Sequence, residues 1–587
     1  MSAKKRERER DTKGILRRIG GYMMRHKGLL VLAVIMTLIS NSLALVGPML
    51  SGYAIDAIEL GKGLVAFNKV FYYAGLMLGL YLLSSAFGYL LQVVMITVSR
   101  RVIFSMREDI FNKLAILPVK YFDANYTGDI ISKISYDCDT LNGSLSGDLV
   151  QILASIITIV GSFIMMAHLS PLLVLISVLT LPLTVIISGF IAKKTKPLFR
   201  TRSKMTGELN GFVEEMVTGL KTIKAYNQER NTVDAQDTVN SAVVDAYYKA
   251  EYYSSLAGPG MNFINNLSMA LVSVFGALIY MAGGMSIGNI SSFVMYSRRF
   301  AGPINEIANI YGELQSALAA AERIFRLLDE IPEPEDVENA IALQDVEGDV
   351  KIEEVNFGYV AEKPVLHNFN LHAEPGSLTA IVGPTGAGKT TMINMLMRFY
   401  DIDSGKITVD GQSVSQINRL SLRRAYSMVL QDTWLFYGSI FENIAYGKPE
   451  ASKEEVEAVA RAVKLHSYIM RLPEGYDTIL TDDGSNISKG QMQLLTIARA
   501  MLMDSNMLIL DEATSNVDTR TEVQIQLAMR RLMQDKTCFV VAHRLSTVRN
   551  ADKILVVRNG NVVESGTHDE LMTHNGFYRE LYYAQFA

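Results

Sequence analysis

Between Lys27 and Asp56 the chain carries no charged residue, and between Lys69 and Arg100 it again carries none. An unpaired backbone polar group in hydrocarbon costs several kcal/mol, so apolar runs of this length are predicted to cross a bilayer as helices, which pair their backbone internally. Five charge-free stretches occur, at about 29–55, 70–99, 149–167, 169–192 and 255–282, and a sixth apolar stretch at about 290–314 contains a few charges. The third and fourth are separated only by His168, with Ser170-Pro171 reading as a short turn, and Gly283-Gly284 with Gly288 mark the turn between the last two. A buried helix of a soluble protein imitates one such segment, not six in one half of a chain. The reading is therefore a six-span α-helical membrane domain over 29–325, preceded by an amino-terminal segment, 1–28. The first stretch is too long for a cleavable signal peptide and lacks a small-residue cleavage pattern.

Orientation follows from the loops. Ten basic residues (Lys4, Lys5, Arg6, Arg8, Arg10, Lys13, Arg17, Arg18, Arg25 and Lys27) precede the first span, whereas the next loop holds only Lys62 and Lys69. The amino terminus is expected on the cytoplasmic side. An even number of spans returns the carboxyl-terminal half to that side, and the long loops near 100–148 and 193–251 face it too. Cys138 and Cys538 then lie in a reducing compartment, where no disulfide is expected. The net charge of −4 gives no reason to expect nucleic acid, and the basic amino terminus suits anionic membrane lipid.

Past a linker, 326–348, marked by Pro332 and Pro334, the composition changes. Residues 349–587 alternate short apolar strands (378–382, 427–430, 507–510, 538–542 and 553–557) with helical stretches, as a largely parallel α/β sheet requires. The segment Gly383-Pro384-Thr385-Gly386-Ala387-Gly388-Lys389-Thr390 follows the first of these strands and opens a helix. Its glycines allow backbone N–H groups to turn toward phosphate oxygens; Lys389 would reach the β- and γ-phosphates, and Thr390 would hold Mg²⁺. Asp511 and Glu512 follow an apolar strand, suiting Asp511 as a second Mg²⁺ ligand and Glu512 as the group that orients or deprotonates water.

Between these motifs lies Asn486-Ile487-Ser488-Lys489-Gly490-Gln491-Met492-Gln493, followed by Ile497-Ala498-Arg499-Ala500. It resembles the signature segment of ATP-binding-cassette exporters. The resemblance extends over the whole chain, through Tyr121-Phe122-Asp123, Gly128-Asp129, Asp137, Gly219 to Tyr226, and Ala319 to Phe325. It implies that the second domain is an α/β P-loop NTPase, that Tyr359 stacks on adenine, and that Gln431 and His543 act with Glu512 in catalysis, Gln431 also touching Mg²⁺. It further implies that Thr391 and Asp518 belong to the nucleotide site, and that Ser488, Gly490 and Gln491 close on ATP held by a second subunit. A half-transporter of this kind hydrolyses ATP only as a dimer. Ile487 and Lys489 depart from the usual Leu-Ser-Gly-Gly-Gln, and with Asn516-Val517 and Trp434 they resemble subunits of heterodimeric multidrug exporters.

The expected cargo is a small amphipathic or hydrophobic molecule, exported across the bacterial cytoplasmic membrane. The rivals are a homodimeric lipid or peptide exporter and an exporter-fold importer of a metal chelate. Asn262, Asn265, Asn266, Arg298, Arg299 and Glu306 are the candidate cavity residues, because buried polar side chains in spans are costly unless they face a cavity or a partner; an Arg299–Glu306 pairing between helices is one expectation.

Overall fold

The computed structural model describes residues 12–58, 65–360, 363–430, 433–480, 486–511, 518–541 and 548–585. It divides into two compact units, the first holding the chain to Ala115 and Thr127–Glu330, the second holding Ile116–Tyr126 and everything from Ile331.

The first unit is helical. A short amphipathic helix, α1 (Thr12–Met24), precedes α2 (Lys27–Asp56) and α3 (Phe67–Ala115). A helical run from Thr127 contains two π-helical turns, Lys133–Asp137 and Ser144–Asp148, and feeds the helix Leu149–Leu169. Then come Pro171–Thr218, Glu229–Ser255, Ala257–Met281 and Ile287–Leu328. The helix Leu149–Leu169 runs on through His168, and the chain breaks at Ser170, within the expected turn. Ser170 caps the next helix by accepting from the Leu173 N–H, and Pro171 occupies its first turn, where a missing N–H costs nothing. Among the described residues, four helical segments are long and apolar enough to cross a membrane. Phe71, Leu78, Leu82 and Tyr89 are exposed along α3, an apolar surface that hydrocarbon or a second chain covers.

Two sequence motifs meet inside this unit. Asp137, in the first π-turn and 1 % exposed, accepts both arms of the Arg323 fork, with Nε donating to Oδ2 over 2.9 Å and Nη2 donating to Oδ1. Losing the guanidinium strands a buried carboxylate. A fully buried pair broken this way costs about 3–5 kcal/mol, and the half-exposed Arg323 side chain lowers the expectation to about 2 kcal/mol. Arg323→Ala should therefore lower the unfolding midpoint in detergent by several degrees, and Arg323→Lys by less.

Pro48 sits inside α2 and has no N–H, which orphans the carbonyl four residues earlier, that of Ala44. The facing helix Ile287–Leu328 meets this stretch with three donors at helical spacing. Arg299 Nη1 donates to Ala44 O over 2.6 Å, the Tyr296 hydroxyl to Leu45 O over 2.6 Å, and the Ser292 hydroxyl to Pro48 O over 2.8 Å. The close approach needs small residues, since a Cβ on Gly52 would lie 2.6 Å from the Gly288 carbonyl oxygen.

The second unit carries two larger sheets. The antiparallel one, in the order β2-β1-β4-β5, is formed by β1 (Val350–Phe357), β2 (Leu366–Ala373), β4 (Ser404–Val409) and β5 (Gln412–Ser413). The other is built from β3 (Leu378–Val382), β6 (Tyr426–Val429), β9 (Met507–Asp511), β10 (Thr537–Val541), β11 (Lys553–Arg558) and β12 (Asn561–Gly566) in the order β12-β11-β3-β10-β9-β6. A small ribbon pairs β7 (Gly438–Ser439) with β8 (Ile479–Leu480). All pairings in the larger sheet are parallel except β11 with β12. Leu508, Ile509 and Leu510 are at most 1 % exposed, each contributing about 1.5–3 kcal/mol by leaving water, which explains why this strand reads as a continuous apolar run.

Candidate functional site

In the parallel sheet, Val541 of β10 pairs with Ile381 of β3 on one side and with Asp511 of β9 on the other. The carboxyl ends of three strands thus reach one edge together, where ligands bind in open α/β sheets. The phosphate loop leaves β3 there.

Two glycines of that loop are required by its shape. A Cβ on Gly383 would sit 2.2 Å from the Val557 carbonyl oxygen, and Gly388 has φ 106° with Leu366 Cδ2 only 2.9 Å from where a Cβ would be. Gly388 is the N-cap of the helix Lys389–Leu396, so the positive end of that helix opens into the loop. Pro384, Thr385 and Gly386 are exposed, Ala387 is buried, and Thr390 is exposed in the first helical turn while Thr391 is buried. Lys389 Nζ donates to the carbonyls of Gly383 and Pro384 over 2.7 and 2.9 Å. Burial pushes its ammonium below the usual lysine range, and the Asp511 carboxylate partly opposes that shift. Asp511 is half-buried at the end of β9, near enough to act on Lys389. A hydroxyl and a carboxylate beside a phosphate cradle form an all-oxygen donor set, which fits Mg²⁺.

Tyr359 is 37 % exposed, leaving ring surface for a base. Its hydroxyl donates to Thr391 Oγ1 over 3.3 Å and accepts from Asn394 Nδ2 over 3.0 Å, tying it to the helix after the phosphate loop. Its ring packs edge-on against Tyr400, with centroids 5.0 Å apart, and the Tyr400 hydroxyl donates to Asp123 Oδ2 over 2.5 Å. Burial, and then the hydrogen bond to that carboxylate, raise the Tyr400 phenol above its ordinary range. Asp123 lies in the short helix Val119–Ala124, within the segment that groups with this unit; Val119 packs on the same core, and the Glu333 N–H donates to Ile116 O over 2.8 Å. Tyr400 was missed by sequence reasoning. It stands 11 residues past Lys389, outside every motif, and only the fold brings it to Asp123.

The signature segment opens the helix Lys489–Met503. Ser488 is its N-cap: Oγ accepts from the Gln491 N–H over 3.3 Å, and Gln491 Oε1 accepts from the Ser488 N–H over 2.9 Å. This reciprocal cap uses a lone pair of the hydroxyl and leaves its proton for an outside acceptor. Gly490 is buried, whereas Lys489 is exposed and has no ion pair among the described residues. Asp518 caps the helix Thr519–Leu532 by accepting from the Thr521 N–H over 3.0 Å, and hydrogen bonds from Thr521 hold its carboxyl below the ordinary range. Gln431, Glu512 and His543 lie outside the described residues.

In the helical unit, Arg299 and Glu306 do not pair with each other. Arg299 is held on Ala44 O as above, while Glu306 Oε2 accepts from Gln151 Nε2 over 2.6 Å and from Ser155 Oγ over 3.4 Å. Proline chemistry gives Arg299 its partner: Pro48 leaves the Ala44 carbonyl without a helical donor, and the guanidinium supplies one. Arg298, Asn262 and Asn266 are exposed, and Asn265 is half-buried.

Residues 30–304 match the family described as ABC transporter transmembrane region, and residues 366–515 match the family described as ABC transporter. An uncharacterised ABC transporter ATP-binding protein of Bacillus subtilis is 43 % identical over 584 residues, covering 100 % of this chain and 96 % of that protein. A fatty acid ABC transporter ATP-binding/permease protein of Mycobacterium bovis is 45 % identical over 479 residues, 81 % of this chain and 75 % of the relative. Among solved structures, a bacterial Atm1-family ABC exporter with ATP bound superposes with a TM-score of 0.77 at 30 % identity, covering 96 % of this chain and 98 % of that one.

Proposed function

Because the chain belongs to the ATP-binding-cassette transporter family, as an exporter-type half-transporter with a membrane domain and an ATPase domain, we propose that it exports small amphipathic molecules from the cytoplasm as one half of a heterodimer. The observation that carries the ATPase side is the phosphate loop, with Lys389 lying on its own carbonyls and Asp511 beside it. Thr390 and Asp511 would hold Mg²⁺, which would offset phosphate charge there. Tyr359 takes the adenine, the N–H groups of the loop and Lys389 take the phosphates, and Glu512, oriented by His543 and Gln431, draws the proton from the attacking water. Ser488 and Gly490 close on the partner's ATP. Binding favours the closed dimer, and loss of the γ-phosphate contacts removes that preference.

Export of an amphiphile is supported by the exporter-type architecture and by the name of the mycobacterial relative, a fatty acid transporter. The basic amino-terminal segment supports a cytoplasmic amino terminus, and six spans would return the carboxyl-terminal half to the same side. The test is ATP-dependent uptake of a fluorescent amphiphile, such as a labelled fatty acid, into inside-out vesicles holding the chain and its partner. Uptake that stops with Lys389→Ala supports the reading; ATP-driven loss of preloaded amphiphile from the same vesicles would mean import.

The likeness of Ile487, Lys489, Asn516-Val517 and Trp434 to subunits of heterodimeric exporters supports two different chains. Lys489 places a cation at the positive end of its own helix, unfavourably unless an anion approaches. Lys489→Gly should weaken ATP binding at the partner's phosphate loop by about fivefold, the worth of roughly 1 kcal/mol for an exposed charge pair, and leave this chain's own loop unchanged. Nucleotide titrations with each loop disabled in turn separate the two sites, and equal changes at both contradict a composite site.

A further inference from the structure

The helix α3 continues far past the membrane. Its charge-free stretch, 70–99, spans about 45 Å at 1.5 Å per residue, close to the full thickness of a bilayer with its headgroups. Arg100 and Arg101 therefore emerge at the headgroup level. They line a cleft of about 640 Å³ in the helical unit, together with His26 at the start of α2, Phe104, Arg107 and Asn142.

The charges in this cleft do not balance. Arg107 is committed, with Nη2 donating to Asp139 Oδ1 over 2.8 Å and Nε to Ile134 O over 3.1 Å. Asn142 Oδ1 accepts from the Ser99 hydroxyl. Arg100 and Arg101 are exposed and have neither an ion pair nor a side-chain hydrogen bond among the described residues, so two guanidinium groups are left over at one rim. Phe104 lies one turn beyond Arg100 and is 70 % exposed, adding an apolar wall. Guanidinium forks match the oxygens of a phosphate, and an exposed ring beside them suits the glycerol and upper acyl region rather than bulk water.

We infer that this cleft binds the phosphate headgroup of an anionic phospholipid of the cytoplasmic leaflet. A free phosphate would satisfy the arginines but would have no use for Phe104 or for a location at the end of a membrane span. The pairing of basic cleft and leaflet is what recruits such lipids between helices.

The test is native mass spectrometry of the detergent-purified complex of this chain with its partner, titrated separately with phosphatidylglycerol and phosphatidylcholine, and with phosphatidylglycerol in the presence of inorganic phosphate. Phosphatidylglycerol should bind more tightly than phosphatidylcholine. Arg100→Gln with Arg101→Gln should weaken phosphatidylglycerol by roughly 30-fold, about fivefold per arginine, and leave phosphatidylcholine unchanged. Lys204→Gln with Lys221→Gln, which removes the same charge elsewhere, should have no such effect. Equal affinity of the Arg100/Arg101 variant and the unaltered chain for phosphatidylglycerol overturns the site, as does an equal loss in the lysine control. Displacement of phosphatidylglycerol by millimolar phosphate would make it a soluble-anion site. Both arginines are exposed, and Arg100→Lys with Arg101→Lys keeps the charge while losing the fork. That variant should fall between the other two.

Discussion

Lys389→Ala should bind ATP at this chain's phosphate loop about a hundredfold more weakly than the unaltered protein, with the unfolding midpoint of the ATPase domain unchanged. The size follows from position. The ammonium lies on the carbonyls of Gly383 and Pro384, partly withdrawn from water, where a charge-assisted bond to phosphate is worth up to about 3 kcal/mol. Stability is spared because the fold depends on the glycines and the strand core, not on this side chain. Lys389→Arg keeps the charge but brings a longer, planar fork into a loop closed by Val557 and Leu366, so it restores little. Isothermal titration of the complex, with the partner's loop disabled, checks this; affinity within threefold of the unaltered chain would remove Lys389 from the site.

The second large effect separates binding from chemistry. Glu512→Gln keeps the shape of the side chain and loses the base, so turnover falls by about 10²–10⁴-fold while ATP affinity changes little. Because ATP then stays intact between the subunits, closed dimers accumulate and are seen as a stable species by size-exclusion chromatography or spin-label distances. Undiminished hydrolysis would take the role of base away from Glu512. A simultaneous loss of ATP binding would make the effect structural.

What could be read without the structure was local. The phosphate loop declares itself because its glycines, lysine and threonine fall at fixed spacing within eight residues, and the positive φ of Gly386 and Gly388 fits that pattern. The helical character of the membrane domain was legible because a long continuous apolar run can pair its backbone in hydrocarbon only as a helix, and β9 because burial on both faces leaves no polar interruption. The strand ends shifted by about one residue, as with β6, which starts at Tyr426 rather than Ser427, because burial does not mark where pairing stops. The antiparallel sheet of β1, β2, β4 and β5 was not anticipated, since its strands carry Lys, Glu, Asn and His on the exposed face. Contacts between distant positions were also hidden. Asp137 and Arg323 were each noted in a motif, yet nothing in the sequence joins them, and Pro48 gave no sign that Arg299 would serve Ala44 rather than Glu306.

The line from Tyr359 through Tyr400 to Asp123 links the proposed adenine platform to the segment that interrupts the helical unit. It gives the nucleotide site a physical route to that loop, through ring packing and one hydrogen bond rather than through the catalytic residues.

The central claim is that each ATP is shared by two non-identical chains, one giving the phosphate loop and the other the signature. ATPase activity in lipid, of this chain alone and of this chain with the product of its neighbouring gene, tests it most directly, with Glu512→Gln in each as control. The account predicts turnover only in the pair, abolished by Glu512→Gln; turnover by this chain alone, lost in its Glu512→Gln form, would contradict it and establish a homodimer in which Lys489 is tolerated.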